Sequence, residues 1–190
     1  AIMTEGVTAS LLVIATALAA RARDEASTSR RRGLIVATGL VMGAATLVRP
    51  QSLALAPILG WLALSSSSTM KHRALAAVAV LMTTLAVCAP WTARNCVRME
   101  KCALVSVNGG WNLAIGTQTD NGGWHEIAVP AACREVFQEA AKDECFGREA
   151  MKVIAAHPIA WLARAPAKLR VTFDYFGAAP WYLHDANKER

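Results

Sequence analysis

The run Gly33-Leu34-Ile35-Val36-Ala37-Thr38-Gly39-Leu40-Val41-Met42-Gly43-Ala44-Ala45-Thr46-Leu47-Val48 carries no ionisable side chain. Charge gathers at its ends instead, Arg30-Arg31-Arg32 before it and Arg49 after it. A helix that is apolar all round is either buried in a large core or spans a membrane. Residues 6–20, 52–65 and 74–91 have the same character, and all lie in the first half of the chain. Each is somewhat short of the roughly 20 residues that cross ~30 Å of hydrocarbon, but flanking Ala, Ser and Thr extend them. Four successive helices without a polar face cannot all be core in a chain of 190 residues. The expectation is a mainly α fold with about four transmembrane helices. Gly39 and Gly43 form a GxxxG pair on one helix face, a spacing that lets another helix approach closely.

Composition agrees. Hydrophobic residues make up 54% and charged residues 18%, against roughly 45–50% and 25% in ordinary soluble domains. That excludes intrinsic disorder, and 12 Gly, 7 Pro and 5 Cys exclude collagen-like and disulfide-scaffold classes. The net charge of +6 is no nucleic-acid signal, because the excess lies between apolar segments: 8 Lys/Arg against 3 Asp/Glu up to Thr92, then 12 against 11. Nucleic acid is therefore not an expected partner; the lipid bilayer is. Arg21, Arg23 and Arg30–Arg32 crowd the first link, Lys71, His72 and Arg73 the third, and Arg49 alone the second. By the positive-inside rule the first and third links are cytoplasmic. The expected location is the inner (cytoplasmic) membrane, multi-pass, with residues 93–190 on the extracytoplasmic side.

Four of the five cysteines, Cys96, Cys102, Cys133 and Cys145, fall in that outer part. An even set in an oxidising compartment reads as two disulfides. Three pairings are possible; sequence-nearest partners, Cys96–Cys102 and Cys133–Cys145, are taken here. Residues 103–107 and 111–115 alternate in character around Asn108-Gly109-Gly110, a hairpin signal, so residues 93–146 are expected to form a small α+β extracytoplasmic subdomain after the transmembrane region, residues 1–92. Residues 133–156 read as helical. A Cys133–Cys145 bridge cannot span one straight helix, since twelve residues rise ~18 Å, so the chain would have to reverse near Lys142–Asp143. Residues 147–190 combine apolar positions at helical spacing, Arg164 and Lys168, and the aromatics Trp161, Phe173, Tyr175, Phe176, Trp181 and Tyr182. They read as amphipathic interfacial helices, the alternative being an ordinary amphipathic helix packed on the outer subdomain.

Read in order, Thr4-Glu5, Leu47-Val48-Arg49-Pro50, Ala89-Pro90-Trp91-Thr92-Ala93-Arg94-Asn95, Val105-Ser106-Val107-Asn108-Gly109-Gly110-Trp111-Asn112-Leu113-Ala114-Ile115-Gly116 and His157-Pro158 form a succession. It resembles the bacterial GT-C glycosyltransferases, the superfamily of protein O-mannosyltransferases and aminoarabinose lipid A transferases. The resemblance covers nearly the whole chain; the cysteine-rich outer loop departs from it. It implies an integral membrane enzyme that transfers a sugar from a polyprenyl-phosphate donor to an envelope glycan, lipid or protein acceptor on the outer membrane face. It also implies a catalytic Asp in a first external loop, and nothing here matches that loop. The chain is accordingly expected to be the C-terminal part of a longer protein and inactive alone, with no catalytic residue of its own. The cofactor stays unassigned, a divalent metal ion in the full-length enzyme being allowed.

The chemistry needs a base for the acceptor hydroxyl and cationic donors for the departing phosphate. Arg49 suits the second role, as guanidinium grips phosphate through two parallel bonds; a snorkelling interfacial arginine is the plainer reading. No acidic residue lies within several positions to pair with it. Arg94 and Asn95 are candidates of the same kind, Glu5 is read as structural or pocket-lining, and Asn108, Trp111 and Asn112 as bordering a sugar or simply forming a turn. His125 with Asp120 and Glu126 lacks a spaced metal-ligand set. The competing class is a non-enzymatic, membrane-anchored extracytoplasmic module that binds envelope glycans or partners.

Overall fold

The computed structural model describes residues 4–99, 102–118 and 128–173, with side chains as far as Arg170. The chain forms two compact units, Ala1–Ser106 and Val107–Arg190.

In the first unit, α1 (Thr4–Asp24) and α2 (Thr28–Val48) form a helical hairpin, and α4 (Met70–Arg98) packs on α2. The link between α1 and α2 is tied by Arg31, whose guanidinium donates twice to Glu25 O, at 3.0 and 2.6 Å. These three helices are long and apolar enough to cross a membrane; at 1.5 Å per residue they measure ~32, ~32 and ~44 Å. The third apolar stretch departs from expectation. It forms a 3-10 segment (Pro50–Leu55) followed by a seven-residue α3 (Ala56–Leu62), together only ~22 Å by the rises of the two helix types. Pro50 and Pro57 explain this, since each lacks the N–H that a continuing helix would use.

The direction of the chain is kept nonetheless. Gly39 faces Thr83 and Val80, and Gly43 faces Val87, so α2 and α4 run parallel. Two parallel helices need a return pass between them. Gly60 against Ala76 and Ala77, with Arg73 Nε 3.5 Å from Trp61 O, places the end of α3 beside the start of α4. The third stretch is that return.

The unit is apolar outside and small inside. Ala15, Ala19, Ala22, Ala45, Ala56, Ala76, Thr38, Thr46 and Thr84 are buried, while Val13, Leu40, Leu75 and Met82 are exposed. A Cβ on Gly39 would sit 2.6 Å from Thr83 Cβ, and one on Gly43 would fall inside the Val87 side chain. Where lipid tails are as apolar as the helices, close packing of small residues replaces hydrophobic burial as the force holding helices together. Interior hydroxyls stay satisfied: Thr46 donates to Met42 O at 2.8 Å, and Thr84 Oγ1 lies 2.9 Å from Val80 O and 3.2 Å from Gly39 O across the interface.

Beyond its apolar part α4 continues through Pro90 to Arg98. Residues 103–105 fold back on this end. Buried Asn95 donates through Nδ2 to Ala103 O and Val105 O at 3.0 and 3.1 Å, Trp91 Nε1 to Val105 O at 2.9 Å, and Thr92 Oγ1 lies 2.9 Å from Leu104 O. The Cys96–Cys102 disulfide closes the same corner.

In the second unit the expected hairpin is absent; the described residues contain no strand, and the α+β subdomain is helical. Gly109–Gln118 is a helix, α5, lying across α6 (Glu139–Ala156). Two features favour helix over turn. Asp143 of α6 accepts from the backbone N–H of Gly110 at 3.1 Å and of Trp111 at 2.8 Å, occupying donors that a helix start leaves open. Gly110 and Gly147 then let the two helices touch: a Cβ on Gly147 would lie 3.4 Å from Gly110 Cα, and one on Gly110 would overlap Asp143 O. Residues 103–105, part of the expected first strand, are engaged by α4.

Cys133 and Cys145 are bridged. The reversal that this bridge requires comes at residues 134–138, between the 3-10 turn Ala131–Cys133 and the start of α6, not at Lys142–Asp143. After α6 come α7 (Pro158–Ala163) and α8 (Ala165–Phe173), with Pro158 and Pro166 in their first turns, where a missing N–H is tolerated. Arg164 Nη1 donates to Thr117 O at 2.8 Å and Lys168 Nζ to Gly116 O at 2.7 Å. Arg164 and Lys168 are thus turned inward, capping the C-terminal carbonyls of α5. Tyr175, Phe176, Trp181 and Tyr182, like Asp120, His125 and Glu126, lie outside the described residues.

Candidate functional site

The first candidate site stands at the open end of the α1–α2 hairpin. Arg49 ends α2, and its neighbour Pro50 prevents the helix from continuing. The hairpin brings the start of α1 alongside, so Arg49 pairs with Glu5 through Nη2 and reaches Thr4 Oγ1 through Nε at 3.2 Å. The isolated arginine expected from sequence is therefore held by two residues 44 and 45 positions away. The arrangement fixes one edge of the guanidinium. Nη1 has no partner among the described residues, and the side chain is 37% exposed. A guanidinium oriented in this way offers a directed donor to an anion. Glu5, read from sequence as structural or pocket-lining, is the group that orients it.

Arg94 and Asn95 separate in role. Arg94 is exposed, with its guanidinium 4.6 Å from the Trp91 ring centroid and Nη1 donating to Asn95 Oδ1 at 3.2 Å. Asn95 is fully buried, and its amide is spent on Ala103, Val105 and Arg94. It is a clamp for the returning chain and has nothing left for a substrate.

The second candidate site is a cleft of about 120 Å³ in the second unit. Asn108 and Trp111 line it with Glu139, Lys142, Asp143 and Phe146. Trp111 is 39% exposed and packs its ring edge-on to Phe146, with centroids 4.7 Å apart at 79°. An indole held in that way presents an apolar surface beside the Glu139 carboxylate and the Lys142 ammonium, the combination of flat ring and polar groups that pockets use to orient a small polar ligand. Asn112 is exposed and does not line the cleft. Glu139, Lys142 and Asp143 were not anticipated as site residues. Their signal was available: Asp143, Phe146, Gly147 and Ala150 follow the i, i+3, i+4, i+7 spacing of a packed helix face, which would have carried Lys142 and Glu139 to its rim.

Among the described residues no three His, Cys, Asp or Glu side chains converge to hold a metal ion. No family model, curated protein or solved structure matches the chain.

Proposed function

We propose that this chain is part of an integral membrane glycosyltransferase, one that moves a sugar from a polyprenyl-phosphate donor to an envelope acceptor on the outer face of the inner membrane. The observation that carries the reading is Arg49, oriented by Glu5 and Thr4 at the end of a membrane-length helix. An arginine fixed at that depth meets the headgroup region, where the phosphate of a lipid-linked donor lies. In this reading the return pass of residues 50–62 is the third of four crossings, and the arginine-rich end of the unit is cytoplasmic, as the positive-inside rule requires. Arg49 stabilises the departing phosphate, and the base is the Asp that the GT-C resemblance implies.

The test is transfer from a polyprenyl-phosphate sugar by the full-length protein in vesicles, with membrane insertion measured separately. A charge-assisted hydrogen bond contributes roughly 1.5–3 kcal/mol, so Arg49→Ala should slow transfer about tenfold to a hundredfold at ~1.4 kcal/mol per decade. Arg49→Lys should recover part of this, because a point charge lacks the fork. Normal insertion with unchanged transfer would leave Arg49 as an interfacial anchor. Absence of any transfer by the wild-type full-length protein, with glycan still retained, would favour the binding-module class.

A further inference from the structure

The helices α7 and α8 are amphipathic in the opposite sense to a water-facing pair. Ile159, Leu162 and Leu169 are 81%, 62% and 57% exposed, and Ala163 and Pro166 are exposed with them. Arg164 and Lys168 point the other way, reaching in to the last carbonyls of α5, and the indole nitrogen of Trp161 is buried, while Arg170 at the end of α8 stays exposed. A helix on the surface of a soluble domain turns its apolar stripe to the core and its charges to water. Here the water-facing side is the apolar one.

We infer that α7 and α8 dock on the surface of a lipid bilayer, with Ile159, Leu162 and Leu169 set into the boundary between headgroups and acyl chains. The inference rests on the membrane-length helices of the same chain and not on glycosyl transfer. Those helices are long and apolar enough to cross a membrane, which brings the chain to a bilayer. Charge points to the same occupant. Arg170, beside Leu169, is exposed, and from Ala150 to Phe173 the sequence holds no acidic residue, which suits anionic headgroups. A second copy is the poorer match, since two such segments face to face bring like charges together. Ile159, Leu162 and Leu169 are also aliphatic, without the Trp or Tyr anchors that dominate protein interfaces. Because Arg164 and Lys168 also hold the last turn of α5, a docked pair anchors the helix that carries Trp111.

The experiment uses the whole chain in vesicles of phosphatidylcholine and phosphatidylglycerol. A Cys88→Ala background, kept oxidised, carries one environment-sensitive fluorophore at Leu162→Cys or, as the control, at exposed Arg148→Cys. Docking predicts a blue-shifted emission at position 162 that brominated acyl chains quench and aqueous iodide does not, and the reverse at position 148. The shift should grow with the phosphatidylglycerol fraction. A label at 162 that iodide quenches and brominated lipid leaves alone overturns the inference. So does a blue shift that disappears when the chain is diluted in lipid, which would assign the face to contact between copies.

Discussion

Asp143 gives the sharpest test of the second unit. Its two carboxylate oxygens receive the N–H groups of Gly110 and Trp111 from a different helix, at 3.1 and 2.8 Å. Replacing a good capping side chain by Ala typically costs 0.5–2 kcal/mol, and hydrogen bonds to a charged group contribute about 1.5–3 kcal/mol each. The start of α5 is partly open to water, which takes over some of what the carboxylate releases. Asp143→Ala should therefore destabilise α5 by about 2 kcal/mol, toward the upper end of the capping range. Asp143→Asn keeps one oxygen acceptor and turns an amide N–H₂ toward the other donor, so about half the loss is expected.

Amide hydrogen exchange followed by mass spectrometry reads this directly. At ~1.4 kcal/mol per decade, amides of residues 109–118 that exchange through opening of α5 should speed up about thirtyfold in Asp143→Ala and about fivefold in Asp143→Asn. The helix that carries the mutation should behave differently. Ala is the better helix former, so the amides of α6 distant from α5 should keep their protection. Unchanged exchange over residues 109–118 would refute the capping role. Equal loss over α5 and α6 would mean that the unit unfolds as a whole and that the cap is not a local device.

Gly43→Leu should separate α2 from α4, because even a Cβ there falls inside Val87; the detergent-solubilised protein should lose its monodisperse elution, whereas Gly6→Leu, with nothing within 4 Å of its Cβ, should elute normally. Non-reducing peptide mapping should recover Cys96 with Cys102 and Cys133 with Cys145, leaving Cys88 free. Opening the Cys133–Cys145 loop, which spans 12 residues, should remove roughly 3 kcal/mol from the second unit by the chain-entropy relation.

Residues 33–48 and 74–91 announced their helices because neither offers a polar face, a property that depends on no distant partner. The third stretch looked equally apolar and still did not make one long helix, since Pro57 stops what composition alone would continue. Arg49 as a candidate was visible from its position, but its partner was not. Glu5 lies 44 residues away and arrives only when the hairpin closes. Asn95 was misjudged for the same reason: a polar residue at a helix end looks available until the chain returning at residues 103–105 consumes its amide.

Asn108-Gly109-Gly110 is the most instructive misreading, because the local signal was good. Asn-Gly between alternating runs favours a two-residue turn, in which both central residues have positive φ. The competing signal was equally local but needed a partner to be seen: Asn followed by a ten-residue run without proline is also a helix start, and Gly110 is what lets α6 approach. One substitution separates the two readings by sign. In the helix, Gly109 has open space around its Cβ, so Gly109→Ala should stabilise the second unit by about 0.4–1 kcal/mol through loss of unfolded-state freedom. In a turn, the same change forces an L side chain into the left-handed region and should destabilise instead. Gly110→Ala should destabilise in either case, here because its Cβ meets Asp143 O, and so serves as the control that a harmful alanine is detectable. Slower exchange over residues 109–118 in Gly109→Ala fits only the helix, and faster exchange would return these residues to a hairpin.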